Sequence, residues 1–185
     1  MHPVEPRDPR PGADELRAAL RTIHAPSLHG FALLLTLGDR HSAAALTAAA
    51  FGAADGRADE LRHPERAAAW LRADVTRRAG RHDPRLDVDE RMAALGPIGV
   101  TSPVLAGLAS LERTERAALV ATWVERLDQR DVATIVGRDG DRLDTLLRRA
   151  RARFLEGHAA APADGHRPSG PIADAVRSAA ARAMA

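Results

Sequence analysis

Five polar side chains on one stretch, VGRDGDRLDTLLRRARARF over residues 136–154, have the types and spacing to bind phosphates and base edges: Arg138, Arg142, Thr145, Arg148 and Arg149. A guanidinium presents a planar fork of donors that matches a phosphate or a guanine edge, and a threonine hydroxyl adds another donor. On a helical wheel Leu143, Leu146, Leu147, Ala150 and Phe154 share one narrow sector, which must be a core face. Asp141, Thr145, Arg148 and Ala152 lie opposite, flanked by Arg149, and Arg142, Arg149 and Arg153 make a second stripe. A buried face with a basic face behind it is what a groove-reading helix requires. Asp139, Asp141 and Asp144 work in the other direction. Acids in a first turn stabilise the helix through its dipole, but they repel a phosphate approaching the same end. The competing reading is a solvated face on which Arg148 pairs with Asp141 or Asp144.

The other reactive residue types do not assemble a reaction centre. The eight histidines, at 2, 24, 29, 41, 63, 82, 158 and 166, include no H-x-x-x-H pair. Cysteine is absent, which excludes a disulfide framework, thiolate catalysis and a cysteine zinc site. There is no Gly-rich phosphate loop and no G-x-S-x-G, and Asp139-x-Asp141 opens like a calcium loop but lacks its later ligands. The sequence therefore offers no catalytic residue, no metal site and no cofactor, and reads as a binding protein rather than an enzyme.

All 27 basic residues are arginine, and asparagine, tyrosine and cysteine are missing while alanine abounds, a composition expected of a high-GC bacterial genome. The formal net charge is only +2 despite a sequence pI of 10.6, so a basic footprint must be local. The first residues, MHPVEPRDPRPG, contain no apolar signal core, and the longest apolar run, Phe31 to Leu37, is far short of a membrane span. A cytoplasmic protein without membrane contact is expected.

The elements that must position the arginines read as helices throughout. Apolar stripes at three-and-four spacing run through Leu16, Ala19, Leu20 and Ile23; through Phe31, Leu34, Leu35 and Leu37; and through Ala43, Leu46, Ala50 and Phe51, with breaks expected at Pro26, Gly38 and Gly52 to Gly56. A fourth helix is expected from Pro64 to about Gly80, with Leu71 and Val75 inward and Trp70 at its edge. Further helices follow over 103–110, 114–126, 128–136 and from about 139 to 156. The fold class is all-α, as two small helical domains: a disordered arm over 1–13, a first domain over 14–80, a linker over 81–102, a second domain over 103–156, and a flexible tail over 157–185 in which Ile172 to Met184 has the composition of a terminal helix. The pair over 128–136 and 139–156, with Gly137 for the turn and the small Ala133 at the crossing, predicts a helix-turn-helix.

The run LERTERAALVATWVERLDQRDVATIVGRDGDRLDTLLRRARARF, residues 111–154, resembles the promoter-recognition domain of bacterial sigma factors of the extracytoplasmic-function group. Leu111, Arg116, Ala118, Trp123, Leu127, Val132, Ala133, Ile135, Gly137, Leu147, Arg149, Ala150 and Arg151 fill the places of that family's pattern. The run FALLLTLGDRHSAAALTAAAF, residues 31–51, resembles its N-terminal domain through Leu37, Gly38, Asp39, Ala43, Leu46 and Phe51, and Ala69-Trp70-Leu71 resembles the opening of its promoter-melting helix. The resemblance covers roughly residues 14 to 156. It implies transcription initiation, with promoter DNA and core RNA polymerase as partners and an anti-sigma-type regulator as a third. The sequence departs from the family where Ala44, Ala45, Ala48 and Ala49 replace the acidic and amide residues that face the polymerase, which makes those four positions the candidate partner surface. In the final helix Arg142 replaces a threonine, Asp144 a lysine and Leu146 an arginine. The alternative implied by these losses is a degenerate sigma-like adaptor that binds a protein partner and no longer initiates transcription.

Overall fold

The computed structural model describes residues 12–57, 64–79 and 86–161, and every regular element among them is helical. In order these are α1 (Ala13–Leu35), α2 (Arg40–Asp55), α3 (Pro64–Ala79), α4 (Val88–Leu95) with a 3-10 turn (Gly96–Ile98), α5 (Ser102–Ala109), α6 (Arg113–Leu119) with a π turn (Val120–Val124), α7 (Gln129–Val136) and α8 (Gly140–Ala160). The arm before residue 12 and the tail beyond residue 161, including the helix expected over 172–184, lie outside the described residues.

The expected break at Pro26 is absent, and α1 runs through it. The proline leaves the Thr22 carbonyl without its usual donor, but His24 and Leu28, on either side of it, are buried and hold the chain helical. The inward stripe shifts accordingly to Leu28, Phe31 and Leu35, while Ala19 and Ile23 face solvent. Likewise α2 passes Gly52 and ends only at Gly56. The break at Gly38 does occur: Gly38 has φ +91° and donates to the Leu33 carbonyl at 2.9 Å, closing the end of α1.

Helix α3 is the axis of the molecule. It packs on α1, α2, α6 and α7, and Leu71, Arg72, Ala73, Asp74, Val75 and Thr76 are all buried, so it has no solvent-facing side there. Two buried arginines tie the halves of the chain together across it. Arg72 forms a bidentate pair with Glu125, Nε to Oε2 at 2.6 Å and Nη2 to Oε1 at 2.7 Å, and lies over the Phe31 ring. Arg116 donates to the carbonyls of Leu35, Leu108 and Leu111 at 2.7–2.9 Å, stopping the C-terminus of α1 with a side chain from α6. Burial, with repulsion from Arg91 and Arg113, lowers the Arg116 pKa to about 10, so it stays charged at neutral pH. The π turn supplies Glu125: the N–H of Glu125 bonds the Val120 carbonyl five residues back, and the chain leaves through Arg126 at φ +57°.

The stretch read as a linker contains α4, and its Leu95 and Val100 belong to the same hydrophobic core as Leu71, Val120 and Leu143. Trp70 and Trp123 are half-buried and pack against that core.

The long helix α8 is seated chiefly on α5. Their close approach depends on glycine. A Cβ at Gly107 would stand 2.7 Å from the Phe154 ring and 2.9 Å from its carbonyl oxygen, and one at Gly157 would stand 2.9 Å from the Ala106 carbonyl oxygen. A ring can turn aside, but a helix carbonyl cannot. Gly107→Ala is therefore expected to cost about 1–3 kcal/mol through overpacking, seen as a lower urea midpoint with an unchanged slope. A midpoint equal to or above that of the parent would contradict the packing.

Candidate nucleic-acid interface

Helices α7 and α8 meet at a tight left-handed turn. Asp128 caps α7 by accepting from the Asp131 N–H at 2.8 Å, and Val132 and Ile135 fix the helix to the core. At its other end Gly137 has φ +65°, and the N–H groups of Gly137 and Arg138 both bond the Ala133 carbonyl. A left-handed cap of this kind favours glycine and reverses the chain into α8. Asp139 occupies the N-cap position of α8, but its side chain makes no capping bond; the carboxylate faces solvent while its carbonyl accepts from Arg142 and Leu143.

The inward face of α8 is as the wheel requires: Leu143, Leu146, Ala150 and Phe154 are buried, and Leu147 is half-buried. Arg138, Asp141, Arg142, Thr145 and Arg148 are exposed on the outer side. Gly137, Arg138, Asp141, Arg142, Thr145, Leu146 and Arg149 line one shallow groove along the turn, and Asp141, Asp144, Leu147 and Arg148 line a second beside it.

Arg138 in the turn and Arg142, Arg148, Arg149 and Arg153 on α8 divide into two sets. Among the described residues Arg138 and Arg142 have no ion pair, and Arg148 bonds only the Thr145 hydroxyl, at 3.1 Å. The pairs between Arg148 and Asp141 or Asp144 that a self-compensated face would need do not form; Asp144 instead accepts from the Gln129 amide at 3.2 Å. Arg149 and Arg153, by contrast, converge on Glu115 and Glu112. Arg149 Nε donates to Glu115 Oε1, Arg153 Nη1 donates to Glu115 Oε2 at 2.9 Å, and both also reach Glu112 at 3.1 and 3.2 Å.

The Glu115 side chain is 0% exposed. Burial alone would raise its pKa, but the hydrogen bond from Arg149, the Glu112 N–H and Arg153 together hold it below the usual carboxylate range. Arg149 is thus one of the five sequence-selected residues whose charge is already engaged within the chain.

Neither Glu115 nor Glu112 stood out in the sequence as part of this site. The signal was present as E-x-x-E at the start of α6, a capping box in which the Glu112 N–H donates to Glu115 at 2.9 Å, matched by Arg149 and Arg153 one turn apart. The four alanines of the candidate partner surface lie on α2, where Ala44, Ala45 and Ala48 are exposed and Ala49 is half-buried, on the side away from the buried Ala43, Leu46 and Ala50.

Two buried titratable groups should make the fold sensitive to acid. Desolvation first, and Arg72 second, lower the His24 pKa. A depressed folded-state pKa contributes stability above the unfolded value that is lost as pH falls, so stability should decline below about pH 6.5 from His24 and again below about 4.5 from Glu115. Urea midpoints from pH 8 to 3 test this, and a midpoint that rose with acidification would contradict it.

Comparisons with protein families, with curated proteins and with solved structures find no match for this chain. No single helix among the described residues is long and apolar enough to cross a membrane.

Proposed function

We propose that this chain is a transcription protein of sigma-like build that binds promoter DNA through a helix-turn-helix formed by α7 and α8, and RNA polymerase through α2. One observation carries the DNA half of this reading: Arg138 in the tight turn and Arg142 and Arg148 on α8 are exposed and, among the described residues, none is in an ion pair, although Asp141 and Asp144 line the same two grooves. Three such guanidinium groups, two on a helix whose opposite face is buried and one in the turn before it, can neutralise phosphates and reach base edges. Titration of a labelled duplex across a range of salt tests it, because phosphate neutralisation makes affinity fall linearly in log salt.

The resemblance of residues 31–51 to a polymerase-binding domain supports the second half, and its alanines favour a second reading. Ala44, Ala45 and Ala48 present an uncharged outward face on α2, which lacks the negative charge that would steer a basic partner surface. In that reading the protein is an adaptor for another protein, possessing the fold without the initiation activity. Purification of the tagged protein from its host separates the two. Stoichiometric core polymerase supports the initiation reading, whereas a different partner without polymerase supports the adaptor.

A further inference from the structure

Resting on the DNA-binding reading, we infer that Glu115 withholds Arg149 from DNA and so sets how many positive charges α8 offers to phosphate. Arg149 lines the same groove as Arg138 and Arg142. Among the described residues those two are in no ion pair, whereas Arg149 is paired with both Glu112 and Glu115. One of the three guanidinium groups of the groove is therefore neutralised from α6 before any ligand arrives.

The grip comes from Glu115 rather than Glu112. The Glu112 side chain is 63% exposed, and its contacts with Arg149 and Arg153, at 3.1 and 3.2 Å, compete with water. The Glu115 side chain is 0% exposed. One of its oxygens accepts from Arg149 Nε, and the other accepts from Arg153 Nη1 and from the Glu112 N–H, both at 2.9 Å. Glu115 also cannot follow a departing guanidinium outward, because it occupies the third position of a capping box and is followed by the buried Arg116 and Ala117.

A phosphate that drew Arg149 away would leave this carboxylate buried with one cation in place of two. Stripping a partner from a buried charge costs more than a solvent-exposed phosphate contact returns. Arg149 thus stays on Glu115 when DNA lies in the groove. Because phosphate neutralisation supplies the sequence-independent part of the affinity, Glu115 keeps that part low.

The test uses the full chain and a duplex of random sequence, with affinity measured across a range of salt. Glu115→Gln keeps the side-chain shape and a capping acceptor but removes the charge. It should steepen the dependence of log affinity on log salt by about 0.9, one further phosphate contact, and raise affinity about eightfold at 0.1 M salt. The double variant Glu115→Gln with Arg149→Ala should return to the parental slope. Glu112→Gln, which removes the same charge but leaves Glu115 in place, should keep that slope throughout. A variant Glu115→Gln of parental helical content and parental slope overturns the inference, as does an equal steepening by Glu112→Gln. Should Glu115→Gln fail to fold, Arg149→Ala alone decides. A parental slope upholds the inference, whereas a slope flattened by about 0.9 shows Arg149 on phosphate and overturns it while the DNA-binding reading stands. Absence of salt-dependent duplex binding by the parent protein overturns both.

Discussion

Glu125→Ala should remove about 3–5 kcal/mol of stability, the cost of leaving a buried charge without its partner. The Arg72 and Glu125 side chains are 5% and 14% exposed, so the guanidinium left behind regains little of its hydration. The remaining hydrogen-bond acceptor for Arg72 is the Ala68 carbonyl, at 3.0 Å, which carries no charge. A domain of this size has about 5–15 kcal/mol in total, so the variant should approach the limit of folding at ambient temperature. The double substitution Arg72→Met with Glu125→Leu removes both charges and fills the space with apolar atoms. It should cost far less than the single change, close to nothing relative to the parent. Urea titration of the three proteins decides this. A single variant within about 1 kcal/mol of the parent, or a double variant worse than the single one, would mean that the pair does not hold the halves together.

The second large effect concerns binding. Replacing Arg138, Arg142 and Arg148 together by alanine should flatten the dependence of log affinity on log salt by about 2.7, from three phosphate contacts at about 0.9 each. At 0.1 M salt the same relation gives a loss on the order of 500-fold. Helical content should be unchanged, since none of the three is in an ion pair among the described residues and alanine favours helix. Arg149→Ala is the informative comparison. Because Arg149 already shares Glu115 and Glu112 with Arg153, its removal should disturb the seating of α8 on α6 more than it changes the salt slope. A triple variant with the parental slope would place the binding charges elsewhere.

The all-helical class and most helix positions were legible because each helix carries its own apolar period. The wheel of α8 located Leu143, Leu146, Ala150 and Phe154 on the buried side, since that information is local. Breakers were less informative. Gly38 ends a helix because its φ is +91°, whereas Pro26 and Gly52 sit within helices held by tertiary packing.

What could not be read was which charges are free. Arg142 and Arg149 are equivalent in sequence, both arginines on one stripe of one helix. Only the fold shows that α6 brings two carboxylates to Arg149 and none to Arg142. The pairing of Arg72 with Glu125 was hidden for the same reason: 53 residues separate them, and a π turn aims the glutamate. The glycines at the crossing of α5 and α8 were likewise invisible, because a close approach leaves no periodic trace.

The most direct test of the central claim is to follow backbone amide resonances of the labelled protein while a DNA duplex that it enriches from a random-sequence pool is added. The account predicts that shifts concentrate at Gly137 to Thr145 and at Arg148, with little change along α2 or α3. No perturbation at α8 under low salt, or changes confined to the other helices, would contradict α8 as the surface that meets DNA.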